Sequence, residues 1–452
     1  MKFEFGKRLK ISIFGQSHEK EIGVIIRGLP TGEPIDLHEV SEFMRRRSPG
    51  KSLLLSDRNE PDEPKVKSGL EQGKTTGDPL EIVIYNKDAR PEEYSHMKHV
   101  PRPSHADYPA MIKYGEAYNT GGGFFSGRMT APLCLAGAVC KQILARRGIE
   151  TAAHLFSVGR IKDTPLDSVN VDMKLLKLAA GNEIPVLDES AAEEMKQAVF
   201  NAKSNGDSLG GIVECAVTGL PVGAGGALFE GLESRLSAAV FAIPAVKGIE
   251  FGIGFSAARM CASRNNDAFY MDESGQVKTK TNRHGGILGG MASGMPVIFR
   301  TAFKPTPSIS KVQKSVDLSR MENVSLKIEG RHDPCLAIRA VPCVEAAAAV
   351  ALLDVLLEAD YLKVSNSVSN FRTEIDRVDD EMVSLLERRL ELARTLGGVK
   401  KKEGLPVFDP EREQEVLKRL TKGRDSSQSK LINECYASIF EINKELQSKA
   451  DL

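Results

Sequence analysis

Apolar and polar positions follow two different rhythms along the 452 residues of the chain. Up to residue 365 the apolar positions come in short runs that end near glycine or proline: ISIF (11–14), GVIIRGLP (23–30), EIVIYN (81–86), GIVECAVTGLPVG (211–223) and PVIFRTAF (296–303). Short runs rich in β-branched residues and bounded by turn formers predict strands. Helices are predicted over 131–147, over 191–205 and in AAAAVALLDVLLEA (346–359). Strands and helices do not alternate regularly, which argues against a doubly wound sheet or an α/β barrel and for an α+β body. Past residue 370 the rhythm is helical. Ile375, Val378, Met382, Leu385, Leu392 and Leu396 recur at three, four or seven residues, an amphipathic helix of about seven turns. Asp409 followed by Pro410 is an N-cap with proline in the first turn, so a second helix is predicted from there to Lys422, and a third over 430–449.

Composition changes at the same place. From Asn366 on, 16 basic and 17 acidic residues make 33 of 87 charged, while only four of the 40 glycines and two of the 22 prolines lie there. The polar stretch KVSNSVSN (363–370) reads as the seam, giving a body of residues 1–362, a linker of 363–369 and a helical domain of 370–452. Over the whole chain 61 Lys+Arg balance 61 Asp+Glu, which excludes a basic nucleic-acid coat. Charges at Lys2, Glu4, Lys7, Arg8 and Lys10 interrupt any secretory apolar core near the start. The expectation is a cytoplasmic protein with no nucleic-acid or membrane partner. Seven cysteines (134, 140, 215, 261, 335, 343, 435), an odd number without a C-x-x-C pair, point to buried free thiols rather than disulfides, and no metal site is expected.

Common signatures fail. Pro49-Gly50-Lys51-Ser52 ends like a P-loop, but Arg45 stands where its first glycine belongs. Gly121-Gly122-Gly123 and Gly223-Ala224-Gly225 do not complete a dinucleotide fingerprint, and Gly15-Gln16-Ser17-His18-Glu19 lacks the last glycine of a nucleophile elbow. What remains is a set of cationic side chains in glycine- or proline-bounded loops: His18 in FGQSHEK, Arg45, Arg46 and Arg47 before SPG, His105 in PRPSHADY, Arg128 in GGGFFSGRMT, and Arg331 with His332 in EGRHDPC. Glycine lets an anion approach backbone N–H groups, and guanidinium grips carboxylate or phosphate with two bonds. His38, His96, His99 and His154 lack such surroundings and read as structural.

GQSH, RRRSPG, NEPDEPKVKSG, KTTGDPL, RPSHADYPAMIKYG, GGGFFSGRMTAP, AVKGIEFG, SRNND, NRHGGILGGMASG, KPTPSI and GRHDPCLAIRAVP occur in this order and together resemble chorismate synthase over residues 5–360. The resemblance implies a β-α-β sandwich domain, a homotetramer and the step that makes chorismate. In that step 5-enolpyruvylshikimate 3-phosphate loses phosphate and a proton by anti-1,4 elimination, with reduced FMN required although nothing is oxidised overall. By the same resemblance His18, near the departing phosphate, and His105, near the flavin, are the acid–base groups, and a near-neutral pKa suits imidazole to both roles. Arg47, Arg102, Arg128 and Arg331 would hold the substrate's phosphate and carboxylates, with Ser17 and Ser126 as hydroxyl partners. Flavin contacts would fall on Ala245, Gly289, Lys304, Thr306, Ser308 and Arg331. No nicotinamide fingerprint is visible, so NADPH would enter only as an indirect reductant. Three departures stand out: QSHE for ESHG, Leu53 where an Arg is common, and FFSGRMT for RSSARET, in which Phe124 and Phe125 remove a polar flavin neighbour.

In the tail, Arg389 and Lys400 fall within about 20° of each other around a helix, and Arg372 about 100° away. Two cations on one inward face near apolar positions call for an anion. NFRTEIDRVDDEMVSLLERRLELARTLGGVKKKEGLPVFDPERE, with the remainder of residues 370–447, resembles the all-helical class of chorismate mutase without a gap. The implied reaction is the Claisen rearrangement of chorismate to prephenate in an intertwined dimer of three-helix domains. Implied roles fall on Arg372, reaching the partner chain's site, and on Arg389, Lys400, Asp409, Arg412, Glu413 and Gln447, with Asn443 where Ser is common. Arginines hold the two carboxylates, and Lys400 with protonated Glu413 or Gln447 stabilises charge on the ether oxygen. The expectation is a bifunctional enzyme. Two alternatives remain: a chorismate synthase whose tail is a non-catalytic oligomerisation or effector-binding module, and a flavin-binding protein without elimination activity.

Overall fold

The computed structural model describes residues 3–48, 60–87, 99–115, 122–328, 333–364, 368–406 and 408–448, with the backbone alone for 360–364, 368–374, 376, 377, 380, 381 and 448. It divides into two units, Met1–Tyr361 and Leu362–Leu452.

The first unit is built on two antiparallel sheets. β1 (Phe3–Phe5), β2 (Lys10–Gly15) and β3 (Glu21–Arg27) form a meander, followed by helix α1 (Leu37–Arg47), β4 (Lys65–Ser68), the hairpin β5 (Leu70–Glu71)–β6 (Lys74–Thr75) and β7 (Leu80–Tyr85). Five of these strands pair in the order β1-β2-β3-β7-β4. Ile22, Val24 and Ile26 of β3 sit opposite Ile84, Ile82 and Leu80 of β7. The alternation gathers these six buried side chains on one face, where cross-strand apolar pairs stabilise the sheet. After α2 (Asp107–Tyr114) and α3 (Thr130–Arg146) come β8 (Glu150–Val158), β9 (Ile161–Lys162), α4 (Met173–Ala179), α5 (Glu189–Ser204), β10 (Gly211–Thr218), α6 (Leu232–Phe241), β11 (Val246–Phe251) and α7 (Ala262–Asn265). Hairpins β12 (Phe269–Met271)–β13 (Val277–Thr279) and β14 (Ile287–Leu288)–β15 (Met291–Ala292) precede β16 (Val297–Phe303), and β17 (Gln313–Asp317)–β18 (Glu322–Leu326) follows it. The second sheet runs β11-β16-β10-β8-β9.

Between the sheets lie α3 and α8 (Leu336–Val364). α3 packs on β2, β3 and β7 of the first sheet and on β8 of the second. α8 meets α3 where Gly137 faces Ala346 and meets β10 where Gly211 faces Ala337. The body is therefore the expected α+β, β-α-β sandwich. α8 begins ten residues before the predicted start and runs through Pro342. Proline costs one helical hydrogen bond there, but the surrounding Ala337, Ile338, Val341, Cys343 and Val344 are all buried, and packing outweighs the lost bond. Leu336–Ala359 is long and apolar enough to cross a membrane, yet it is 94% buried inside the protein. Toward its end the Asp354 carboxylate accepts the N–H groups of Lys7, Arg8 and Leu9 at 2.7–3.0 Å and pairs with Arg235.

The second unit is all helical: α9 (Val368–Glu403), α10 (Pro410–Thr421) and α11 (Ser426–Ser448). α9 packs along α11, and α10 on α11. The Asp409 side chain caps α10 by accepting the Arg412 N–H at 3.0 Å. α11 starts four residues earlier than predicted because Asp425 caps it, taking the Gln428 N–H at 2.8 Å. The face that α9 turns to α11 carries Ala393 and Gly397, both buried. Its apolar stripe of Ile375, Val378, Met382, Leu385, Leu392 and Leu396 is exposed. α8 reaches Val364 and α9 begins at Val368, so helix extends into the polar stretch read as a linker, and residues 365–367 lie outside the described ones.

Candidate active site

The three arginines that end α1 part company because successive helical residues point about 100° apart. Arg45 is exposed and pairs with Glu42. Arg46 binds Glu345 and lies 5.3 Å over the Phe43 ring. Arg47 is 2% exposed and reaches Asp62 and, at 3.4 Å, Thr130. Arg128 stands in a 3-10 turn, Gly127–Met129, whose N-cap Ser126 accepts the Arg128 N–H at 3.2 Å. Its guanidinium takes the other oxygen of Asp62, donates to Asn86 at 2.9 Å and lies 3.8 Å from Glu60. One buried carboxylate thus bridges two buried guanidiniums. Burial would raise the Asp62 carboxyl, but Arg47 and Arg128 outweigh it and hold it well below the usual range. Burial, together with the Arg47 cation and against the pull of Asp62, brings Arg128 down to about 10, still protonated at neutral pH. The buried Ser17 donates its N–H to the Gly123 carbonyl at 3.3 Å, tying the loop of Ser17 and the half-buried His18 to the glycine turn before Arg128.

A second cluster forms where the PRPSHADY loop meets KPTPS. Arg102 Nε and Nη2 donate to Asp107 at 2.7 and 2.8 Å, and Nη1 donates to Ser308 Oγ at 3.2 Å. His105 Nδ1 lies 2.7 Å from Asp107 Oδ1. The Lys304 ammonium donates to the Ser104 carbonyl, and its N–H donates to Ala245 O at 3.0 Å, with Ala245 at φ 73°. Thr306 Oγ1 is buried with no hydrogen-bond partner among the described residues. Burial lowers the His105 pKa; the bond to Asp107 opposes this, and the Arg102 cation reinforces it. Gly289 belongs to the β14–β15 turn, whose Gly290 carbonyl accepts from Leu232 at 2.8 Å. Among the described residues no hydrogen bond joins Gly289 to KPTPS. Phe124 and Phe125 pack with Phe3 and Tyr114, ring centroids 4.9–6.2 Å apart, an aromatic cluster beside the Ser126 turn.

In the second unit, Arg389 lies 5.7 Å from the Tyr436 ring and 5.9 Å from the Phe440 ring. Arg389 Nη1, Asn443 Oδ1 and Gln447 Oε1 are buried and have no hydrogen-bond partner among the described residues. They mark the interface of α9 with α11, where a Cβ on Gly397 would stand 2.8 Å from Gln447 Cα. Lys400 is half-buried on α9.

Residues 9–357 match the family model of chorismate synthase. The chain is 45% identical over 364 residues to the chorismate synthase of Lancefieldella parvula, covering 78% of this chain and 95% of that protein. Identity to the chorismate synthase of Thermococcus kodakarensis is 44% over 354 residues, 78% of this chain and 97% of that one. A crystal structure of chorismate synthase is similar with a TM-score of 0.63 at 26% identity, covering 83% of this chain and all of that one. The chain belongs to the chorismate synthase family. Residues 371–448 match the model of chorismate mutase type II. A lyase domain and an isomerase domain therefore share one polypeptide.

Within the chorismate synthase body, Arg47, Arg128 and Ser126 come together, as do Arg102, His105, Lys304 and Ser308. Arg331 lies outside the described residues, as does the side chain of Arg372. In the mutase domain Asp409 is occupied as a helix cap, and Arg412 is exposed and pairs with Glu415 at 2.9 Å. Glu413 lies on α10 with Lys444 of α11 beside it, 3.2 Å away. His154 is structural as expected, sealed between Asp163 at 2.7 Å and Glu214 at 3.0 Å, with Arg300 on Glu214 at 2.7 Å. Five cysteines are buried, but Cys261 and Cys435 are exposed, against the expectation of buried thiols. Sequence reasoning passed over Asp62, Asp107 and Asn86. The acids stood inside recognised motifs, NEPDEP and PSHADY, and the signal available was that cations buried in loops need fixed anions beside them.

Proposed function

We propose that this chain makes chorismate in its body and rearranges it to prephenate in its tail. In the body, phosphate leaves 5-enolpyruvylshikimate 3-phosphate by anti-1,4 elimination with reduced FMN. The observation that carries this reading is the set of three guanidiniums, Arg47, Arg102 and Arg128, only 2–6% exposed in a chain of zero net charge. Buried cations with fixed orientations suit a small polyanion, and they act more strongly where water is excluded. His18 would protonate the departing phosphate, Ser17 and Ser126 would add hydroxyl contacts, and His105 would move the proton at the other cluster. Lys304, Thr306 and Ser308, with Ala245, fit a flavin phosphate: an ammonium, a buried hydroxyl with unused capacity and a backbone turn already in place. Bound there, reduced FMN would supply electron density to the breaking C–O bond and recover it afterwards.

In the tail, three buried polar atoms on Arg389, Asn443 and Gln447 support a site for a polar ligand. With Glu413 engaged by Lys444, charge on the ether oxygen would fall to Lys400 and Gln447, and Arg389 would orient a carboxylate. The exposed stripe of α9 favours an intertwined dimer in which Arg372 serves the partner's site, within a cytoplasmic homotetramer. The proposed boundaries are 1–362 and 370–452 around a short linker.

One anaerobic reaction with reduced FMN, following phosphate, chorismate and prephenate together, tests both halves. Arg389→Ala or Lys400→Ala should stop prephenate and leave phosphate release intact. A folded tail without turnover would instead support a non-catalytic module, and flavin binding without phosphate release would remove the elimination claim.

A further inference from the structure

We infer that Asp107 is a positioning residue for His105: its carboxylate holds the imidazole in the tautomer with hydrogen on Nδ1 and an open lone pair on Nε2. The inference deepens the proposed acid–base role of His105 and rests on it for its catalytic meaning. Asp107 is 3% exposed. Among the described residues its two oxygens collect four N–H donors: Arg102 N at 3.0 Å, Arg102 Nε at 2.7 Å, Arg102 Nη2 at 2.8 Å and His105 Nδ1 at 2.7 Å. Such a carboxylate cannot turn away from the ring without abandoning Arg102.

Two contacts at Nδ1 compete. Arg102 Nη2 lies 3.1 Å from the same nitrogen that sits 2.7 Å from Asp107 Oδ1. Guanidinium has no lone pair, so it can bond Nδ1 only by donating to a bare nitrogen. A bare Nδ1 at 2.7 Å from a carboxylate oxygen would set two lone pairs against each other. The shorter, charge-assisted contact therefore decides: Nδ1 carries the hydrogen and donates it to Asp107. Nε2 is left as the acceptor, the atom that can take up or relay a proton.

The arrangement also keeps the ring neutral. Among the described residues, the charged groups that act on His105 are Asp107 and Arg102 from its own loop and Lys304 from KPTPS, and Lys304 itself has Lys247 nearby. A lone carboxylate at Nδ1 would favour imidazolium. Here burial and the two cations outweigh it, and the His105 pKa falls below the ordinary imidazole value. Asp107 orients the ring without charging it. Arg102, clamped on Asp107 and bonded to Ser308, ties this orientation to the loop assigned to the flavin phosphate.

The direct test needs no variant of Asp107. In the full-length chain with 15N-labelled histidine, the His105 signals, assigned by their loss in His105→Gln, should show a protonated Nδ1 and a bare Nε2 at neutral pH. A bare Nδ1 or a doubly protonated ring would overturn the inference. In the anaerobic phosphate-release assay, Asp107→Asn should lower kcat about a hundredfold while KM and reduced-FMN affinity stay within about threefold. The low-pH limb of kcat should move to lower pH, because the carboxylate that raised His105 is gone, and Asp107→Glu should recover part of the rate. Equal losses in kcat, substrate affinity and flavin affinity, with the pH limb unmoved, would mean that Asp107 only braces the loop. Absence of phosphate release from the unaltered chain would overturn the elimination reading beneath the inference, a result distinct from a wrong tautomer.

Discussion

Gly397 sits where α9 passes closest to the last turn of α11. A Cβ built there would stand 2.8 Å from Gln447 Cα, 2.9 Å from its carbonyl oxygen and 3.1 Å from its Cβ, against an ordinary contact of at least 3.4 Å. The obstacle is backbone, so Gly397→Ala must drive that turn back by roughly 0.6 Å or more. Gln447 and Asn443 ride on the turn and move away from Arg389 and Lys400. Displacements on the order of 1 Å can cost a hundredfold in rate, so prephenate formation should fall about 10- to 100-fold. Phosphate and chorismate release by the body, unchanged, is the internal control. Overpacking of about 1–3 kcal/mol should exceed the helix-propensity gain of about 1 kcal/mol, leaving the tail slightly less stable. Gly398→Ala is the matched comparison: its Cβ would meet nothing within 4 Å. It should gain up to about 1 kcal/mol and keep full mutase turnover. Prephenate rates measured side by side decide the matter. Equal activity in both variants would refute the idea that close approach of α9 to α11 sets the site.

Asp62→Asn leaves Arg47 and Arg128 buried without their shared anion and should destabilise the body by roughly 3–5 kcal/mol, read from the denaturant midpoint. Because the folded Asp62 pKa is depressed, its contribution is in place above the unfolded value near 3.9 and is lost as pH falls, so the unaltered chain should lose more stability than the variant from about pH 5 to about pH 3. His154→Leu strands the buried Asp163 and Glu214 and should cost about 3 kcal/mol in thermal or denaturant unfolding. The folded His154 pKa is raised by its hydrogen bonds to Asp163 and Glu214, which outweigh burial. Its contribution is therefore full below the unfolded value near 6.5 and fades above it, and that alkaline slope should vanish in the variant. Gly137→Ala puts a Cβ 2.2 Å from Ala346 Cβ and 2.3 Å from its Cα, so melting should drop by several degrees, about 2 kcal/mol or more, with partial recovery in the double variant with Ala346→Gly.

What the sequence disclosed depended on the range of the interaction. The tail helices, the Asp409–Pro410 cap and the shared face of Arg389 and Lys400 follow from neighbours a few residues away, and they were legible. Arg45, Arg46 and Arg47 are chemically alike, and only partners 15 and 299 positions distant, Asp62 and Glu345, assign them different work. Asp62 and Asp107 are not legible in the same way, because an anionic substrate points to cations and carries no sign of the fixed anions those cations need while buried. Glu413 was read by resemblance alone, and its neighbour Lys444 stands on another helix. The early part of α8, residues 336–345 with Pro342 among them, is held helical by burial against distant parts of the body, which a local pattern does not carry.

The bond between Asp354 and the segment Lys7–Leu9 orders events in time as well as in space. That segment leads into the strand that delivers Ser17 and His18, yet its fastening is made 345 residues later. At about 5–20 residues per second, synthesis needs roughly 20–70 s to reach it. Until then the beginning of the chain lacks its anchor, whatever hairpin pairing it has gained. When Asp354 emerges, the three helices of the second unit are still to be made. A chain broken before that point would keep the motifs of its first active site and lose the side chain that secures them, so the body is completed by the very helix that hands the chain on to its second enzyme.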